Sequence, residues 1–228
     1  MVKEELGLRE LKKQLTRESI ADAALQLTLE KGLSDVTIEE IAQVAFVSPR
    51  TVSNYFSCKE EAIVTAGGSA SAALLDEFAL RPAEEAPLDS LREVIVASVS
   101  SSTPEQLRLS VQKMRLVDEN PSLRPYQVAQ HAHLEEVLRT QIAERNGCDV
   151  EKDLYPWLVA GAAVTAVTAA MRLWAHQDAP PERLVSLVED AFTLTSRGLR
   201  LPSHEHTSAR LDDAPAAESV GDSAARAG

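Results

Sequence analysis

At 228 residues with 44% hydrophobic side chains, the chain can bury one sizeable core or two small ones. Its formal charge of -12 excludes a uniformly basic coat, so any contact with nucleic acid has to come from local placement of cations. No run of about 18 uncharged apolar residues is present, Trp157 to Met171 being short and Ala-rich, and the charged N-terminus does not read as a leader; a cytoplasmic protein with no membrane partner is expected.

Leu11, Leu15, Ile20, Ala24 and Leu27 recur at helical spacing and stop at Lys31 and Gly32, a basic last turn followed by a helix-stopping glycine. Thr37 and Glu40 then form a T-x-x-E capping box, which starts a helix near Ile38 with Ile41, Ala42 and Ala45 inward. Ser48 and Pro49 supply an N-cap and a proline at the first position of a second helix. Its inward face uses Val52 and Phe56. Arg50, Thr51, Ser53, Asn54 and Tyr55 are left for phosphates and base edges. Two short helices separated by about three residues read as a helix-turn-helix; the competing reading is an ordinary helical hairpin with Arg50 and Asn54 merely solvated. Residues 1–63 hold 8 Lys+Arg and 11 Asp+Glu. Only a few cations can therefore meet phosphate: Lys12, Lys13, Arg17, Arg50 and Lys59. Salt-sensitive binding that needs two heads acting together follows.

Ser57-x-x-Glu60 offers a further cap, opening a helical pattern from Lys59 to Leu80 that carries Gly67 and Gly68. Two interior glycines cost about 1 kcal/mol each relative to Ala. They read either as loose packing with a break or as a softened linker.

From Thr16 to Ile63 the stretch TRESIADAALQLTLEKGLSDVTIEEIAQVAFVSPRTVSNYFSCKEEAI resembles the TetR family of bacterial regulators, in the form common among actinobacterial members. The resemblance implies an all-α protein: a three-helix DNA-binding head (residues 1–63) on an α-helical ligand-binding and dimerisation body (64–200). It also implies a homodimeric repressor that binds a palindromic double-stranded operator and is released by a small-molecule effector. DNA contacts are expected from Arg17, Thr37, Ser48, Pro49, Arg50, Thr51, Ser53, Asn54, Tyr55 and Lys59. Two positions depart from the family pattern. Phe46 stands where a turn glycine is usual, so the turn either differs or is strained by about 1 to 3 kcal/mol. Ser53 replaces an aromatic residue that packs against DNA.

Beyond the head, Leu88–Ser100, Gln106–Asp118 and a long segment from Asn120 and Pro121 to about Asn146 read as helices. From Asp153 to Trp174, small residues such as Gly161, Ala163 and Ala166 permit close backbone approach. Pro180 and Pro181 open an amphipathic helix bearing Leu184, Leu187, Val188 and Phe192. These last two helices are expected to form a four-helix dimer interface. Met114, Trp157, Met171 and Trp174 are the candidates for an effector pocket, suited to a hydrophobic molecule. No cofactor or metal is expected: His131, His133 and Glu135 leave only an i, i+4 pair on one face. Cys58 and Cys148 fit no metal spacing and read as reduced thiols. The chain shows no H-E-x-x-H, G-x-S-x-G or Gly-rich phosphate loop, so an enzyme is not expected. The rival functions are a constitutive or architectural DNA binder without an effector, and a small-molecule carrier that uses the body alone. After Leu201 the composition turns to Ala, Ser and Asp, which reads as a disordered acidic tail over 201–228.

Overall fold

A computed structural model describes residues 2–177 and 179–200, and every regular element among them is helical. The tail after Leu201 lies outside the described residues. Ten α-helices follow in order: α1 (Val2–Lys31), α2 (Ile38–Val44), α3 (Pro49–Tyr55), α4 (Lys59–Thr65), α5 (Gly68–Ala79), α6 (Pro87–Ser101), α7 (Pro104–Glu119), α8 (Arg124–Asn146), α9 (Leu154–Gln177) and α10 (Pro181–Ser196).

Two hydrophobic cores form. The first gathers Ile20, Ala24 and Leu25 of α1, Ile41 and Ala42 of α2, Val52 and Phe56 around α3, and Ala62 to Val64 of α4; Val117 and Leu123 enter it from the body side. The N-terminal half of α1 stays outside: Leu11 and Leu15 are 54% and 55% exposed, against the amphipathic reading that put them inward. Charged residues surround both leucines there, and the helix runs past the end of the bundle it would have to cover.

The second core centres on α9, which packs between α8 and α10, while α10 also lies on α6. Helix α9 is longer than the Trp157–Met171 run implied, and its most apolar stretch reaches a mean hydropathy of 1.5, enough by length and composition to cross a membrane. Here its buried face, including Val159, Ala160, Ala163, Ala166, Ala170 and Trp174, is protein core. The indole nitrogen of Trp174 donates to the carbonyls of Ala179 and Pro180 at 2.9 and 3.1 Å, fixing the turn into α10.

The stripe on α10 is spent within the protomer: Leu184, Leu187, Val188 and Phe192 are buried in this core. These four side chains therefore serve the protomer's own core. The opposite face of α9 remains uncovered, with Leu154, Tyr155, Leu158, Thr165, Ala169 and Leu173 exposed.

The stretch from Lys59 to Leu80 is two helices, not one. Gly67 sits in the left-handed region at φ 77°, ψ 9°, between α4 and α5. The cap on α4 falls one residue later than Ser57: Cys58 is the N-cap, its Sγ accepting from the Glu61 amide at 3.5 Å. Ser57 instead donates its hydroxyl and its amide to the Glu61 carboxylate, at 2.7 and 2.8 Å.

Candidate nucleic-acid interface and body cavity

The capping box on α2 forms as the sequence implies. The Glu40 amide donates to Thr37 Oγ1 at 3.3 Å, and the Thr37 amide donates back to the carboxylate at 3.0 Å. Lys31 also pairs with Glu40. Hydrogen bonding from Lys31, then from the Thr37 amide and hydroxyl, pulls the Glu40 carboxyl down to about 2.

Between α2 and α3 the chain turns on Phe46. Val47 donates to the Ala42 carbonyl at 2.9 Å and Phe46 to that of Gln43 at 3.3 Å, the bond pattern of a Schellman cap. That pattern places Phe46 at φ 55°, where a glycine carries no penalty and a side chain does. The turn therefore keeps its geometry, and Phe46 holds it under strain with its ring 96% exposed.

Helix α3 starts at Ser48, whose hydroxyl accepts from the Thr51 amide at 3.1 Å and lies 2.8 Å from the Thr51 hydroxyl. Val52 is fully buried and Phe56 nearly so, which anchors α3 and sets its outward edge: Pro49, Arg50, Ser53 and Asn54 are exposed. Ser53 turns its hydroxyl back to the Pro49 carbonyl at 3.3 Å. Arg50 and Asn54 make no side-chain hydrogen bond among the described residues, so their donors are open to an incoming duplex.

A groove of about 460 Å³ runs beside this edge, lined by Arg9, Lys12, Lys13, Thr16 and Arg17 of α1 with Asn54 and Tyr55 of α3. It concentrates basic side chains that the chain's overall charge conceals. Several acids of the head are meanwhile engaged internally, Glu40 with Lys31 and Glu61 with Ser57 and Arg17.

Two of the residues expected at phosphate, Lys59 and Thr37, have partners within the head. The Lys59 ammonium donates to the carbonyls of Leu33 and Val36 at 2.7 and 2.8 Å, tying α4 to the loop before α2. Thr37 gives its hydroxyl to Glu40 at 2.9 Å. Arg17 belongs in part to both sets: it lines the groove while donating to the Tyr55 carbonyl.

In the body, a cavity of about 190 Å³ opens between α5, α6, α8 and α9, lined by Leu74, Leu75, Leu91, Val94, Ile95, Leu134, Leu138, Ala163, Val164 and Val167, with Ser71, His131 and Thr168 as its polar groups. None of the four anticipated pocket residues lines it. Trp157 is half-exposed, donates to the Val150 carbonyl at 2.9 Å and lies under the Arg139 guanidinium at 3.7 Å. Trp174 holds the α9–α10 turn, Met171 packs against the second core, and Met114 is half-buried on α7. Large apolar residues marked where packing needs bulk, whereas a cavity forms where aliphatic side chains of four helices fail to meet. No periodicity in one segment reports that.

The junction between the cores is polar. Lys113 of α7 donates to the Ala66 carbonyl at 2.6 Å, and the Gly67 amide bonds Asp22 of α1. Burial first, opposed by Asp22, brings Lys113 down to about 8. Burial also raises Asp22, against the Gly67 hydrogen bond. Neither residue stood out in the sequence, because each lies alone among ordinary helix-surface charges.

A helical head that presents an open polar edge beside a basic groove, on a helical body with an apolar cavity, has the form of a one-component transcriptional regulator. Residues 20–64 match the family model for bacterial regulatory proteins of the tetR family, and residues 85–200 match that of the MftR C-terminal domain. The chain is 30% identical to the HTH-type transcriptional regulator TcmR of Streptomyces glaucescens over 173 residues, 74% of this chain and 76% of that protein. It is 28% identical over 195 residues, 82% of this chain and 93% of the other, to an MftR assigned to regulation of mycofactocin biosynthesis in Mycobacterium tuberculosis. Among solved structures it is similar to Thermus thermophilus FadR, a TetR-family transcriptional repressor in complex with lauroyl-CoA, with TM-score 0.52 and 23% identity, covering 89% of this chain and all of that one. The chain belongs to the TetR family: it is a DNA-binding transcription regulator and not an enzyme.

Proposed function

We propose that the protein is a homodimeric repressor of the cytoplasm whose two α3 helices read the halves of a palindromic operator, and that a small apolar effector entering the body cavity releases it. The observation that carries this reading is the open Arg50–Ser53–Asn54 edge of α3 next to the basic groove of α1. Arg50 and Asn54 have the donors and acceptors for base edges, with Ser53, Pro49 and Ser48 close to them on the same turn. Arg9, Lys12, Lys13 and Arg17 face phosphate, and Tyr55 supports them from the groove wall. Thr51 acts through its hydroxyl bond to Ser48, as a cap more than a contact.

The uncovered face of α9 is suited to the twofold contact. Leu154, Leu158 and Leu173 supply apolar area around the small residues Gly161, Ala162, Thr165 and Ala169, where two helices can approach closely. The body serves as effector site and dimer platform, the head as DNA reader, with the division near the α4–α5 break.

The test is fluorescence anisotropy on a duplex from upstream of the protein's own gene, beside a scrambled duplex, across a salt series. Two protomers per palindrome are expected, with affinity falling as salt rises. Arg50→Ala or Asn54→Ala should weaken the specific duplex by about 1 to 3 kcal/mol. Equal affinity for both duplexes at every salt concentration would refute sequence-specific regulation and leave an architectural role.

A further inference from the structure

We propose that the acidic C-terminal segment of this chain, residues 201–228, occupies the basic groove between α1 and α3 when no duplex is bound, so that DNA has to displace it. This rests on the reading of that groove as a phosphate site and adds a control on its occupancy.

The fold leaves this groove short of counter-charge. Arg9, Lys12, Lys13 and Arg17 line it, and no acidic side chain is among the described residues that do. Arg9, Lys12 and Lys13 stand at i, i+3 and i+4 on one helix face, where like charges repel. Lys13 has only Glu10, at 3.9 Å between two well-exposed side chains, and Arg17 has Glu61 at 3.6 Å; Arg9 and Lys12 have no ion pair among the described residues. Lysines elsewhere are engaged: Lys31 with Glu40, Lys152 with Asp149, and Lys59 and Lys113 with main-chain carbonyls. An anionic segment therefore finds its open lysines in the groove.

Residues 201–228 supply such a segment, with Glu205, Asp212, Asp213, Glu218 and Asp222 against Arg210 and Arg226. Chain length sets their reach. At about 3.3 Å per residue, Asp212 can lie about 40 Å from Arg200, and Glu218 about 60 Å. The longest helix of the body, α9 with 24 residues, measures about 36 Å, so the acids can pass from the end of the body to the head. Each exposed ion pair is weak, yet the tether holds the segment near the groove at an effective concentration in the millimolar range. A groove left free about one-fifth of the time raises the apparent Kd for DNA about fivefold.

Carbodiimide coupling of the full-length protein without DNA, followed by mass spectrometry, should join Lys12 or Lys13 to Asp212, Asp213 or Glu218, and added duplex should suppress these links. Asp212→Asn, Asp213→Asn and Glu218→Gln combined in the full-length chain should tighten DNA binding about fivefold at low salt, with the gain shrinking as salt rises. In an Arg9→Gln, Lys12→Gln background, where binding is weaker throughout, the same three changes should give almost no gain. A gain of unchanged size in that background would mean that the acids repel DNA from a distance, and it overturns docking. So does an absence of links to Lys12 and Lys13, or their spread at equal yield over Lys31, Lys59 and Lys152. The coupling needs no operator, and the fivefold change is readable on a scrambled duplex, so loss of sequence preference would count against the operator reading alone.

Discussion

The Arg17 guanidinium donates to the main-chain carbonyl of Tyr55 at 2.9 Å, joining the middle of α1 to the last residue of α3. The same side chain lies 4.4 Å from the centroid of Phe56 and 3.6 Å from the Glu61 carboxylate. The orientation of the recognition helix is thereby set from its C-terminal end as well as by Val52. Arg17→Ala should destabilise the head by about 1 kcal/mol, since the group is more than a third exposed and its ion pair is screened. It should weaken DNA binding by more than one lost phosphate contact explains. Denaturant melts and anisotropy measured together separate the two; loss of affinity with an unchanged midpoint would make Arg17 a phosphate contact only.

Phe46→Gly should raise stability by about 1 kcal/mol, because the left-handed backbone is relaxed while an exposed ring gives up almost no burial. Thermal unfolding reads this directly. A lower midpoint would show that the ring packs in solution against something its exposure does not reveal.

Glu40 makes the head sensitive to acid. Its carboxyl titrates at about 2 when folded, below its unfolded value, so its contribution is present above the unfolded pKa, about 4.5, and is lost as pH falls from there through about 2. Wild type and Glu40→Gln should therefore converge in stability as pH drops through that window and differ at neutral pH. Parallel curves from pH 7 to pH 2 would mean that Lys31 and Thr37 do not stabilise the charged form.

Leu158→Arg with Leu173→Arg should split the dimer, since two charges per protomer would face each other across an apolar contact. Sedimentation should give a single-chain mass, circular dichroism should remain helical, and affinity for the palindrome should fall sharply. A variant that stays dimeric would move the twofold axis off α9.

The head was the most legible part of the sequence because its signals are local. Caps at Thr37 and Ser48, the proline at position 49 and the inward pair Val52 and Phe56 each act within a turn or two of chain, and they fall where the pattern implies. What the sequence did not show depends on residues far apart along it. No local pattern shows that the Lys59 ammonium reaches two carbonyls more than twenty residues upstream. The α10 stripe gave no sign of which partner it would meet; apolar residues at helical spacing serve an internal core and a subunit seam equally well. Leu11 and Leu15 kept the period of a buried face on a helix that outruns its bundle.

Helix α9 also bears on how the chain comes off the ribosome. Its apolar face emerges with α8 already made, but α10, which covers the other side with Leu184, Val188 and Phe192, follows in synthesis. Until that last helix is released, the nascent chain exposes a segment hydrophobic enough to attract chaperones or membrane-targeting factors. The four helices of the head are made within the first third of the chain, but their core closes only when Val117 and Leu123 follow.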